Sequence, residues 1–119
     1  MSIEKILWGD DQKEFLTSMK SALEPKYKID IALNPEEVIE KAEQKKYDLV
    51  ITDLRYSEGG KEGFDVIKAV KDKVKYVILC SADAKNTQIQ KTAKTAGAYD
   101  ILQKPVFLLD LKEYLKGLK

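Results

Sequence analysis

The hydrophobic positions of this chain switch repeatedly between two periods. Ile3–Trp8 is an apolar run of strand length, and Gln12–Leu23 then places Phe15, Leu16, Met19 and Leu23 on one helical stripe that Pro25 ends. Tyr27, Ile29 and Ile31 alternate with polar residues, the pattern of a strand toward a sheet edge. Asn34-Pro35-Glu36-Glu37 reads as a helix start, with an Asn cap, Pro at the first position and acids in the first turn. Val38, Ile39 and Ala42 supply its apolar face. Leu49-Val50-Ile51, inside the strand Asp48–Thr52, is a continuous run suited to the centre of a sheet. Arg55–Glu62 is a loop, and Phe64–Val70 resumes helical spacing with Val66, Ile67 and Val70 inward. Val74–Cys80 is a strand, Asn86–Ala96 a helix, and Gly97 stands where a left-handed cap belongs. Tyr99–Leu102 makes a fifth strand, and Leu108–Leu118 a fifth helix with Leu108, Leu111, Leu115 and Leu118 inward.

Five βα units without a hairpin signal imply a parallel sheet covered by helices on both faces. Right-handed crossovers then favour the doubly wound, flavodoxin-like α/β sandwich with strand order 2-1-3-4-5. No linker, repeat or low-complexity stretch divides residues 1–119, so a single domain is expected. With 21 basic and 20 acidic residues the net charge is +1, which gives no reason to expect nucleic acid as a partner. The N-terminus lacks a signal-peptide layout and no apolar run reaches membrane-spanning length, so a cytoplasmic protein is expected. The lone cysteine, Cys80, lies in an apolar run and reads as a buried, inert thiol in a reducing compartment. Histidine is absent, which removes Ser-His-Asp, Cys-His and imidazole acid–base chemistry. Any phosphohistidine in this protein's chemistry must come from a partner.

The candidate chemistry sits where strands end. Asp10 and Asp11 close the first run, Asp53 closes the third, and Lys104-Pro105 follows the fifth. In an open parallel sheet, ligands bind beyond the carboxyl ends of the strands, so these residues should meet there. Three acids at one point repel unless a cation sits among them, and hard oxygen ligands suit Mg²⁺. A lysine in the same crevice suits a phosphoryl group. Each residue alone has a plainer reading: Asp10 or Asp11 as a helix cap, Asp53 and Ser81 as turn residues, Lys104 as a solvated loop lysine.

Taken in order, Ile6-Leu7-Trp8-Gly9-Asp10-Asp11, Val50-Ile51-Thr52-Asp53, Leu79-Cys80-Ser81-Ala82, Gly97-Ala98 and Lys104-Pro105 resemble the receiver domain of two-component response regulators. The resemblance covers essentially the whole chain. It implies that Asp53 takes a phosphoryl group from phosphohistidine on a histidine kinase or phosphotransferase. It also implies that Asp11, Asp53 and the backbone carbonyl of Arg55 ligate Mg²⁺, with Asp10 acting mostly through water, while Ser81 and Lys104 bind phosphoryl oxygens. Family resemblance places Arg55 and Asp83 at the mouth of the site, where their opposite charges would allow a bridge. Such a protein is a phosphoacceptor switch rather than an enzyme with a separate substrate. A chain ending after the fifth helix is expected to be stand-alone and to signal by contact with a downstream protein.

Three departures stand out. The loop Arg55–Gly63 has no proline and runs about two residues longer than usual for the family. Ile101 occupies the place of the usual switching aromatic, with Tyr99 two residues earlier on the same strand face. Trp8-Gly9 replaces a small aliphatic pair, and Trp8 reads as packing. These keep two alternatives open: a receiver-like adaptor that works without phosphorylation, and a Mg²⁺-dependent phosphohydrolase with Asp10 as its only general acid–base candidate.

Overall fold

The computed structural model describes residues 3–56 and 62–118. Its elements alternate strictly: β1 Lys5–Gly9, α1 Lys13–Leu23, β2 Lys28–Ala32, α2 Pro35–Gln44, β3 Leu49–Asp53, α3 Gly63–Val70, β4 Tyr76–Ser81, α4 Thr87–Ala96, β5 Asp100–Gln103 and α5 Leu108–Gly117. All strand pairs are parallel and the sheet order is β2-β1-β3-β4-β5, the doubly wound arrangement that the alternation of periods predicts. The alternating strand β2 lies at an edge and the fully buried β3 at the centre.

Side-chain alternation along the strands divides the core in two. Leu7, Val50, Val77 and Leu79 meet Val38, Ala42, Val66, Ile67, Val70 and Ala93, the inner faces of α2, α3 and α4. Ile6, Trp8, Ile51, Ile78 and Cys80 meet Leu16, Met19, Leu23, Leu111 and Leu115 from α1 and α5. Trp8 is packing, as its place in the pattern suggests, and its ring meets Phe15 edge-on at 5.5 Å.

Local chemistry sets several boundaries. Asn34 accepts a hydrogen bond from the Glu37 amide at 2.8 Å and Pro35 opens α2. Asn86 does the same for Ile89 at 3.0 Å, and Gly97, at φ +119°, ends α4 in the left-handed region. Neither Asp10 nor Asp11 is the cap of α1; Gln12 holds that position, with the Asp10 carboxylate one turn-like step before it. Tyr99 precedes β5 rather than opening it. Its ring meets Tyr76 edge-on at 4.7 Å, while Ile101 packs with the α2–α4 side of the core. Ser57 to Lys61, the polar centre of the unusual loop, lie outside the described residues.

Candidate functional site

The parallel register delivers every candidate residue to one edge. Gly9 stands opposite Thr52, Asp53 opposite Cys80, and Ser81 opposite Gln103, so β1, β3, β4 and β5 end together. Asp10 leaves β1 with its amide on the Ala32 carbonyl at 3.0 Å, and is 1% exposed. Its Oδ1 accepts from the Gln12 amide at 2.9 Å and its Oδ2 from Lys104 Nζ at 2.9 Å. Asp53 ends β3, buried. Its Oδ1 accepts from the Leu54 amide at 2.9 Å and lies 3.0 Å from Lys104 Nζ. Asp11 is half-buried beside them, and the three acids can each place an oxygen within 4.8 Å of the others.

Lys104 reaches this cluster because its own amide is held by the Ser81 carbonyl at 2.9 Å, with a cis peptide bond leading into Pro105. Ser81 is buried, and its Oγ accepts from the Asp83 amide at 3.0 Å. A hydroxyl that accepts one bond still has its own proton to donate. Arg55 and Asp83 flank a depression of about 150 Å³ lined also by Asp53, Leu54, Ser81, Ala82 and Lys104. They share the mouth as expected but do not form an ion pair with each other: among the described residues the ammonium of Lys104 alone bridges carboxylates there.

Burial pushes the Asp53 carboxyl above the ordinary aspartate value, and the neighbouring Asp10 adds to this, against the opposing pull of Lys104. For Lys104 burial disfavours the ammonium, yet its bonds to Asp10 and Asp53 outweigh that and hold its pKa above the usual lysine value. The lysine therefore stays charged. Three carboxylates and one ammonium leave a negative excess on hard oxygen donors, a set that fits a divalent cation such as Mg²⁺.

Sequence reasoning missed the support beneath the site. Tyr56 reads as a loop residue in the sequence, but it is only 7% exposed and its hydroxyl lies 2.7 Å from Thr52 Oγ1. Gly63 approaches so closely that a Cβ there would collide with the Asp53 carbonyl and the Leu54 Cα. Its amide bonds the Leu54 carbonyl at 2.7 Å, closing the loop on itself. An aromatic three residues after a strand-end acid was the available signal for the first of these. The glycine carried no such mark, because the greater length of the loop made its register ambiguous.

A doubly wound sandwich with an acidic, lysine-bridged cluster at the carboxyl edge of its sheet belongs to the α/β domains that work at strand ends. The profile of the response regulator receiver domain matches residues 6–116, and the chain belongs to that family. A CheY-like response regulator receiver domain protein from Methanospirillum hungatei JF-1 superposes with a TM-score of 0.85 at 27% identity, covering 97% of this chain and 92% of that one. A two-component response regulator from Clostridium difficile gives 0.84 at 30%, covering 95% and 93%. The response regulator TrrA from Thermotoga maritima, solved in complex with Mg²⁺-BeF, gives 0.80 at 31%, covering 98% and 100%. A search of curated proteins finds no match. Among the described residues, no helix is long and apolar enough to cross a membrane.

Proposed function

We propose that this receiver domain, spanning residues 1–119, is a phosphorelay switch whose phosphoacceptor is Asp53. The observation that carries the reading is Lys104 Nζ, held between Asp53 and Asp10 at 3.0 and 2.9 Å. A lysine so placed can leave one carboxylate to meet an incoming phosphoryl oxygen without crossing the site. The donor would be phosphohistidine on a histidine kinase or phosphotransferase, since the chain has no histidine of its own. An Asp53 oxygen attacks phosphorus, the O–P bond forms, the P–N bond breaks, and its electron pair returns to the partner's imidazole. The Leu54 amide on Oδ1 fixes the orientation of the carboxylate, and Ser81 Oγ and Lys104 donate to phosphoryl oxygens. Phosphoryl transfer asks mainly for this positioning and for charge neutralisation.

Asp10, Asp11, Asp53 and the Arg55 carbonyl are the residues that would hold Mg²⁺, which supplies positive charge to the transferring group. The resulting acyl phosphate is labile, as a reversible signal requires. Output would be by protein contact: Tyr99, Phe107 and Leu109, around β5 and the start of α5, are 52%, 62% and 76% exposed. Apolar side chains of that size on one flank suit a protein partner rather than nucleic acid. A cytoplasmic location completes the reading.

Incubation with acetyl phosphate and Mg²⁺ should add the mass of one phosphoryl group to the wild type and none to Asp53→Asn. Stoichiometric labelling of the mutant would overturn the assignment of Asp53. A wild type that never labels, while binding a partner through Phe107 and Leu109, would favour the phosphorylation-independent adaptor. That alternative draws its support from Ile101, a half-buried aliphatic where the family usually keeps an aromatic.

A further inference from the structure

The loop that follows Asp53 lacks the family's proline, yet its first turn is anchored from within the sheet. Thr52 Oγ1 donates to the main-chain carbonyl of Asp53 at 3.0 Å. A threonine hydroxyl has one proton, so the 2.7 Å contact with Tyr56 must be donated by the tyrosine. A directed chain results, from Tyr56 O–H to Thr52 Oγ1 to the Asp53 carbonyl, and both side chains are buried. Space for the phenol exists only because β1 carries a glycine at the facing register position. Gly9 pairs with Thr52, and a Cβ at Gly9 would collide with Tyr56 Oη and Val38 Cγ2. Residues 53 to 56 are thus held at both ends, by Asp53 in β3 and by the buried Tyr56 ring, with Arg55 between them pointing its side chain to solvent.

We infer that Tyr56, seated over Gly9 and bonded to Thr52, is a positioning residue that holds the Arg55 backbone carbonyl where the metal needs it. The inference rests on the reading that this carbonyl is a Mg²⁺ ligand. A tethered tyrosine would replace the conformational restriction that a proline supplies by locking φ. Pre-setting the loop matters because any ordering left to be done on binding is subtracted from metal affinity.

The test is a double-mutant cycle on Mg²⁺ affinity, measured by titration calorimetry on the whole chain with Tyr56→Phe, Thr52→Val and both together. Tyr56→Phe should weaken Mg²⁺ binding by roughly fivefold, the equilibrium cost of one ordinary hydrogen bond. Thr52→Val should do the same, and the double variant should be no worse than either alone. Ile29→Val, in β2 and remote from the loop, lowers stability without touching the tether and should leave Mg²⁺ affinity at the wild-type value. If both hydroxyl deletions bind Mg²⁺ as tightly as wild type, or weaken it no more than Ile29→Val does, Tyr56 is only packing. Additive losses in the double variant would equally overturn the tether. Asp53→Asn separates the underlying reading: a variant without that carboxylate that still binds Mg²⁺ normally would remove the metal site itself, whatever Tyr56 does.

Discussion

Cys80 shows how much a single position depends on what surrounds it. It lies in the middle of the sheet, opposite Asp53 on one side and Leu102 on the other, and is 1% exposed. Burial pushes its thiol up to about 12, so the neutral form is the one the fold accepts. A thiol whose pKa is raised by folding stabilises the native state fully below its unfolded value, about 8.5, and that contribution fades as pH climbs toward the folded value. Two outcomes follow. A disulfide reagent at pH 8 should label Cys80 orders of magnitude more slowly in the native protein than in denaturant. Cys80→Ala should flatten the loss of stability between pH 8.5 and 11, measured by urea unfolding. Native labelling as fast as in denaturant would show that the centre of the sheet is open to solvent.

Caps decide the helices at the scale of elements. The Asn34 side chain satisfies the Glu37 amide, which has no partner within the helix, and Glu37 in turn reaches the Leu33 amide at 2.7 Å. Asn34→Ala should therefore cost about 1 kcal/mol of unfolding free energy. Helix α2 packs through Val38 and Ala42 on the side of the sheet where Tyr56 is buried, but its cap lies in the β2–α2 turn. Denaturant melts should thus show the loss while Mg²⁺ affinity stays unchanged. Gly97→Ala places a Cβ at a φ of +119° and against the Lys71 side chain, and should cost at least as much. An unaffected midpoint in either variant would mean that α2 or α4 is held by its packing alone.

Across the whole molecule, the cluster at the carboxyl edge sets folding against function. Asp10, Asp11 and Asp53 are brought together by two strand ends, those of β1 and β3, and among the described residues only the Lys104 ammonium bridges Asp10 and Asp53. Crowded like charges cost folding free energy, and a cation that binds the folded cluster alone recovers it by mass action, about 2.7 kcal/mol at a hundredfold excess over its Kd. Thermal melts should rise with millimolar Mg²⁺ in the wild type. Asp53→Asn should melt higher than wild type in EDTA and respond less to Mg²⁺. Identical, Mg²⁺-independent melting of both proteins would count against a shared metal site.

The order of strands, the edge position of β2, the two-sided core and the convergence of Asp10, Asp11, Asp53, Ser81 and Lys104 were all legible in the sequence. The reason is that side-chain period and right-handed crossover together leave few ways to arrange five βα units. Family membership followed from the same strand-end residues in the same order. Tertiary structure alone decided which groups pair. Lys104 could have been a solvated loop lysine until the fold closed it on Asp10 and Asp53, and Arg55 with Asp83 could have bridged until the fold held them apart at one mouth. It also decided that Tyr56 turns inward, because the vacancy it fills is made by Gly9 from a strand more than forty residues away. Periodicity reports on a residue's own element; a notch formed by two strands and a helix has no period in the sequence to report it.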